Sequence, residues 1–255
     1  MPRASGAVPY LGLADMMGVV LRLDDPDLVR REYADETRLS ARIAHWARWP
    51  GPQPQDVAFE EVVAVRPRRV IEVGCGQGEF AERLVEAGME VVALDQSARM
   101  VELTAARGVD ARIGDVEALP FADGSFDAAV ANFMLYHVPD LDLGLTEIAR
   151  VLRASGVLVA ATNGMRQLAE LWELVGRDLS DRADLFMRET GELMLRQHFA
   201  TVRRIDLDST IQLSAQEMRD YIAQSVRHKH LAEQLADFPG TRTVTTARCV
   251  FVAGV

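Results

Sequence analysis

The sequence predicts an α/β fold: a mostly parallel sheet with helices on both faces, an antiparallel strand at the C-terminal edge, and a helical cap in front. Three observations predict it. Between residues 57 and 163, short apolar runs alternate with amphipathic stretches of roughly ten to fifteen residues. Parallel strands need such right-handed crossovers. The strand runs are almost continuously apolar, as burial on both faces requires. The pattern changes at both ends of this region, to an Arg-rich helical stretch before it and a mixed helix–strand tail after it.

The cap, residues 1–55, has Asp25 as a helix N-cap and Pro26 at the first helical position. One or two amphipathic helices follow, ending at the loop "PGPQPQ". The core, 56–163, opens with the helix "DVAFEEVVAVRP", which carries Phe59, Val62 and Val63 and is stopped by Pro67. "RVIEVG" is a strand and "EFAERLVEAG" a helix closed by Gly88. "EVVALD" is the second strand, followed by a helix from Ser97 to Gly108 and the short strand "VDARIGD". Asp123-Gly124 turns the chain into the strand "SFDAAVAN"; "LDLGLTEIARVLR" is a helix and "SGVLVAATN" a strand. Residues 164–255 complete the same domain. The pattern predicts helix throughout 164–200, then one strand with Ile205, Leu207, Ile211 and Leu213 on a common face. A helix with a Ser214–Glu217 capping box and the closing strand "ARCVFVAGV" follow.

Composition narrows the function. The chain of 255 residues has 28 basic against 38 acidic residues and a net charge of −10, which repels phosphate backbones and argues against nucleic acid as the main partner. Cys75 and Cys249 form no disulfide framework and have no metal-ligand spacing. The apolar run "VPYLGLADMMGVVLRL" is interrupted by Asp15 and two glycines, too short for a membrane span and without a cleavage site. A soluble, cytoplasmic protein without a metal is expected.

The stretch "VIEVGCGQGEF", residues 70–80, carries the chemistry. Gly74, Gly76 and Gly78 lie between a strand and a helix, where the backbone can take positive φ and approach a ligand closely. Asp95, at the end of the second strand, can accept two hydrogen bonds from a ribose diol. Dinucleotide-binding turns share this much. Glu72, two residues before the first glycine, would repel a pyrophosphate but suits an ammonium or sulfonium. The spacing is G-x-G-x-G, not G-x-G-x-x-G, and no phosphate loop ending in G-K-S/T is present. The residues alone also allow plain structural roles: a tight turn, an N-cap for Asp95 and a turn at Gly114-Asp115.

With "VVALDQSARM", "GDVEALPFADGSFDAAVAN" and "EIARVLRASGVLVAATN" in the same order, the chain resembles the class I S-adenosylmethionine-dependent methyltransferases. It is nearest the small-molecule subgroup that includes the ubiquinone/menaquinone-biosynthesis type. The resemblance covers roughly residues 57–163. It implies a Rossmann-like core, S-adenosylmethionine as cofactor, and methyl transfer to a small-molecule acceptor by direct displacement. An NAD-dependent oxidoreductase and a non-catalytic S-adenosylmethionine-binding protein are the alternatives. By resemblance, Gly74, Gly76 and Gly78 pass under the methionine part, Glu72 holds its ammonium, and Asp95 binds the ribose hydroxyls with Gln96 alongside. Met100 packs on the adenine, Asp115 accepts from its amino group, the Val116 N–H meets a ring nitrogen, and Asn132 lies beside the methionine end.

The segment "NFMLYHVPD" offers Tyr136 and His137 where the transferred methyl would lie. His137 is a candidate general base or a loop-stabilising hydrogen-bond partner. Tyr33 contacts the cofactor or is an ordinary residue of an amphipathic helix. Arg38 and Arg42 are expected on a solvated face. Trp46, Trp49, Trp172 and Phe186 belong to the core or line an apolar substrate pocket. "RHKH" at 227–230 reads as a solvated helix face rather than a metal site.

Overall fold

A computed structural model describes residues 22–33 and 36–255; most of the apolar N-terminal run and the side chain of Arg38 lie outside the described residues. The Asp25 carboxylate accepts the N–H groups of Asp27 and Leu28, and Pro26 opens α1 (Pro26–Glu32). Helices α2 (Glu36–Trp46) and α3 (Pro54–Ala64) follow. Strand and helix then alternate: β1 (Arg69–Val73), α4 (Glu79–Glu86), β2 (Glu90–Asp95), α5 (Ala98–Ala106), β3 (Asp110–Ile113), β4 (Phe126–Asn132), α6 (Leu141–Val151) and β5 (Leu152–Asn163).

β1 to β5 pair in parallel, as the crossovers demand. The tail adds β6 (Thr201–Asp206) and β9 (Arg248–Gly254), giving a seven-stranded sheet of order β3-β2-β1-β4-β5-β9-β6. β9 is the antiparallel strand expected at this end; it lies between β5 and β6. Strand order reverses between β1 and β4, and the crevice above their carboxyl ends is where open α/β sheets bind ligands. Side chains alternate across the sheet. Ile71 and Val73 join one core with Leu94, Ala129 and Leu158, while Val70 joins the other with Ala93, Val130 and Val159.

The tail differs from expectation in two places. Residues 164–200 are not one helical run but α7 (Ala169–Leu174), a 3-10 turn (Ser180–Arg182) and α8 (Gly191–Leu195) joined by loops. Leu168 at φ 56° and Gly176 at φ 65° take left-handed conformations that no continuous helix tolerates. The expected strand around Ile205–Leu213 is two strands in different sheets. After β6, the Leu207 N–H bonds to the Arg248 carbonyl, and the chain then leaves the main sheet. β7 (Ser209–Ser214) pairs antiparallel with β8 (Thr241–Thr246) in a separate ribbon. Helix α9 (Ala215–Ala223) starts with the expected reciprocal Ser214–Glu217 capping box. Ribbon, α7 and α9 share a third core in which Ile211, Leu213, Met218 and Trp172 pack with Trp49 of the N-terminal segment. Among the described residues, no helix is long and apolar enough to cross a membrane.

Candidate active site

The turn after β1 is held by its own backbone and by Asp95. The Cys75 N–H donates to the Leu94 carbonyl at 3.0 Å, and the Gly76 N–H donates to Asp95 Oδ2 at 2.9 Å. Asp95 Oδ1 accepts the Ser97 N–H at 2.9 Å, which starts α5. The three glycines do different work at positive φ. A Cβ on Gly74 would stand 2.7 Å from the Met134 side chain, and one on Gly78 would stand 2.8 Å from the Thr104 backbone. These two allow close packing. A Cβ on Gly76 would meet only the Leu39 side chain, at 3.7 Å, so its bare main chain faces open space.

That space is a cavity of about 500 Å³ between the strand tips and the cap. Glu72 borders it and is only 2% exposed, because it stands in the inward row that Val70 begins. Its Oε2 has no hydrogen-bond partner among the described residues. Burial, then the neighbouring Asp95, push its pKa well above the usual carboxylate range. Burial also raises the Asp95 carboxyl, against the pull of its backbone hydrogen bonds. Both amide atoms of Asn132 are without partners among the described residues. Gln96, Asp115 and Val116 border the same cavity, as do Tyr33, Tyr136 and His137. Asp115 also closes a local turn by accepting the Glu117 N–H. Gly78 and Met100 do not reach the cavity: Gly78 makes room for Thr104, and Met100 is fully buried at the start of α5.

His137 lies in a 3-10 turn (Leu135–His137) after β4. Its Nδ1 is 2.7 Å from the Leu23 carbonyl and its Nε2 2.9 Å from the Tyr33 hydroxyl. A carbonyl only accepts, so Nδ1 carries the proton and Nε2 accepts from Tyr33. Burial lowers the His137 pKa to about 4, leaving a neutral ring that fastens the cap to the β4 loop.

The cap and tail contribute a cationic wall. Arg42 is not on a solvated face: it borders the cavity and pairs with Glu32 Oε1 at 2.7 Å. Glu32 Oε2 accepts the Val226 N–H at 2.8 Å, tying α1 to the end of α9. Of "RHKH", Lys229 and His230 are exposed as expected, but Arg227 and His228 border the cavity. Arg182 is buried and donates to the Met165 carbonyl at 3.0 Å. Trp46 and Trp172 reach the cavity; Trp49 and Phe186 do not, Phe186 stacking edge-on against Phe251. Among the described residues, no cluster of His, Cys, Asp and Glu could hold a metal ion.

This site sits in a recognisable family. Residues 71–160 match the methyltransferase domain. The chain is 31% identical over 172 residues to an uncharacterized methyltransferase of Mycobacterium bovis, covering 65% of this chain and 68% of that protein. The chain belongs to the methyltransferase family. The chain is also 37% identical over 128 residues to malonyl-[acyl-carrier protein] O-methyltransferase of Erwinia billingiae, covering 47% of this chain and 51% of the relative. It therefore spans about half the length of that relative. The solved structure of a possible histamine N-methyltransferase from Thermotoga maritima superposes with a TM-score of 0.52 and 21% identity, over 88% of this chain and 99% of that one. That likeness shows a shared fold. Family membership leaves the oxidoreductase alternative without support.

Sequence reasoning missed the places of Glu32, Arg182, Tyr221 and Arg227 in the cavity wall. No local motif marks them, because the wall joins segments far apart in the chain. The His137 fastening has a measurable signature. An unfolded histidine titrates at 6.5 and the native one at about 4, so between these values the unfolded chain binds the extra proton. Stability contributed by neutral His137 is therefore full above pH 6.5 and is lost as pH falls toward 4. From pH 7 to 4.5 the wild type is expected to lose about 2 kcal/mol relative to His137→Gln in urea unfolding. Parallel stability curves would mean that His137 titrates normally in the native state.

Proposed function

We propose that this protein transfers a methyl group from S-adenosylmethionine to a small-molecule acceptor held between the strand tips and the cap. The observation that carries this reading is Glu72: a buried carboxylate whose Oε2 has no partner among the described residues, beside Asp95 and a bare glycine turn. Such a group calls for a cation. The residues present fit the cofactor. Glu72 and Asn132 would hold the ammonium end of the methionine part, with the Gly74–Gly76 main chain beneath it. Asp95 would bind the ribose diol, its carboxylate oxygens having capacity beyond the backbone N–H groups they accept. Gln96 would lie alongside, and Asp115 and the Val116 N–H would meet the adenine. Bound there, S-adenosylmethionine supplies an electrophilic methyl on a sulfonium.

The chain's own contribution is alignment and exclusion of water. The cap closes over the strand tips, with Tyr33 and His137 fastening it. Neutral His137 can accept a proton only at Nε2, and only once Tyr33 releases it; an acceptor that arrives deprotonated needs no base. We further propose that the N-terminal segment and residues 164–255 form one acceptor-binding lobe above the core. The two free, buried cysteines support a reducing, cytoplasmic setting.

Calorimetry with S-adenosylhomocysteine and with NADH tests the cofactor assignment. Tight binding of the first and none of the second is expected; the reverse order would sink it. Release of S-adenosylhomocysteine from S-adenosylmethionine in the presence of acceptors tests turnover, and its absence with every acceptor would leave a binding protein.

A further inference from the structure

The cap and tail side of the cavity carries more positive charge than its surroundings balance. Arg42, Arg182 and Arg227 border the cavity and Arg177 stands against Arg227 through a shared carboxylate, Asp181. The side chains of Arg177 and Arg227 are each 7% exposed, and Arg182 is buried. Asp181 is the carboxylate for two of these guanidiniums and Glu32 pairs with Arg42, while Arg182 has only backbone carbonyls. Among the described residues these four guanidiniums thus have two ion-paired carboxylates, Asp181 and Glu32, with the exposed Asp178 acting on Arg177 from farther off. Buried donors are left over as well. Arg42 Nε and Nη2, Arg182 Nε and Arg227 Nη1 find no partner among the described residues. Buried guanidinium groups are stable only when paired, so the wall is built for an anion.

Other groups nearby register the same field. His228 accepts from Arg177 Nε at 2.7 Å, and its pKa is pushed down to about 2 by burial, then by Arg177, Arg227 and Arg182. Tyr136 and Tyr221 border the cavity together with Arg42 and Arg182. Trp46, Trp172 and Met187 border the same cavity and offer apolar surface. The strand-tip side is the opposite in sign, with Glu72, Asp95 and Asp115.

We propose that the methyl acceptor is an organic anion with an apolar body, its carboxylate or phosphate oxygens seated among Arg42, Arg182 and Arg227. The inference rests on the methyltransferase reading, which gives the strand-tip side to the cofactor and leaves this side to the acceptor. The planar guanidinium groups match carboxylate and phosphate oxygens, and the aromatic walls hold the remainder of the molecule.

The test is calorimetry on the protein saturated with S-adenosylhomocysteine, titrated with phenylacetate, phenyl phosphate and the neutral phenylacetamide. At least one anion is expected to bind roughly 10-fold or more tightly than the amide, and the stronger of the two identifies the head group. Arg182→Met should weaken that anion roughly 10- to 100-fold while S-adenosylhomocysteine affinity stays unchanged. Arg182→Lys should recover part of the loss. Because Arg182 also holds the Met165 carbonyl, Arg227→Met serves as the second variant if the first does not fold. Equal binding of anions and amide, or no binding of any probe to protein that still takes S-adenosylhomocysteine, would overturn the proposal. Failure to take S-adenosylhomocysteine at all would overturn the underlying reading and this proposal with it.

Discussion

Glu72→Gln is expected to weaken S-adenosylhomocysteine binding by about 2–4 kcal/mol, roughly 30- to 1,000-fold, while making the ligand-free protein more stable. Both effects follow from one carboxylate. It is buried, its Oε2 is unpartnered among the described residues, and its pKa is raised by burial and then by Asp95. The native chain therefore keeps a proton that the unfolded chain releases above 4.5. Stability from this group is full below that pH and is lost as pH rises through the raised native value. Glutamine has no proton to lose, so the gain of the variant over wild type should grow with pH in thermal unfolding of the free protein. Binding runs the other way: a cationic ligand favours ionised Glu72, and the amide supplies no charge. Unchanged ligand affinity, with the fold intact by circular dichroism, would remove Glu72 from the site.

Asp95→Ala is expected to lower cofactor affinity by about 1.5–3 kcal/mol, or roughly 10- to 150-fold. The structure adds a second consequence. Asp95 accepts the N–H groups of Gly76 and Ser97, so alanine also frees the glycine turn and the start of α5. Asp95→Asn keeps one acceptor oxygen and should fall between wild type and alanine. Calorimetry with S-adenosylhomocysteine checks both variants. An alanine variant that is folded and binds as wild type would disprove the ribose assignment.

The core was legible because its local rules agree. The strands around Ile71, Val92 and Val130 are continuous apolar runs, and their crossovers leave little choice of topology. Glu72 stood out as a charge in a buried row, and Asp95 as an acid at a strand end. The tail was harder. Leu168, Leu171, Trp172 and Val175 have helical spacing, but tertiary packing puts Leu168 itself at positive φ and ends α7 before Gly176. The short ribbon strand β8 has Thr at most positions and a buried Val244, too weak a pattern to announce itself. Arg42 was misplaced for a physical reason. An amphipathic reading turns arginines to water, whereas α2 has a polar cavity on its inner side. Arg182 and Arg227 depend on partners such as Asp181 and on a cavity that only folding assembles.

The contact between Glu32 and Val226 joins residues 194 positions apart, and Trp49 shares an apolar cluster with Ile211 and Met218. The face proposed for the acceptor is thus stitched from segments far apart in the chain, whereas the berth proposed for the donor is built largely from one stretch of it. Selectivity can accordingly diverge by exchanging residues in the outer segments while the donor's berth is left untouched, and chimeras that swap only one outer segment should lose the seam before they lose the donor.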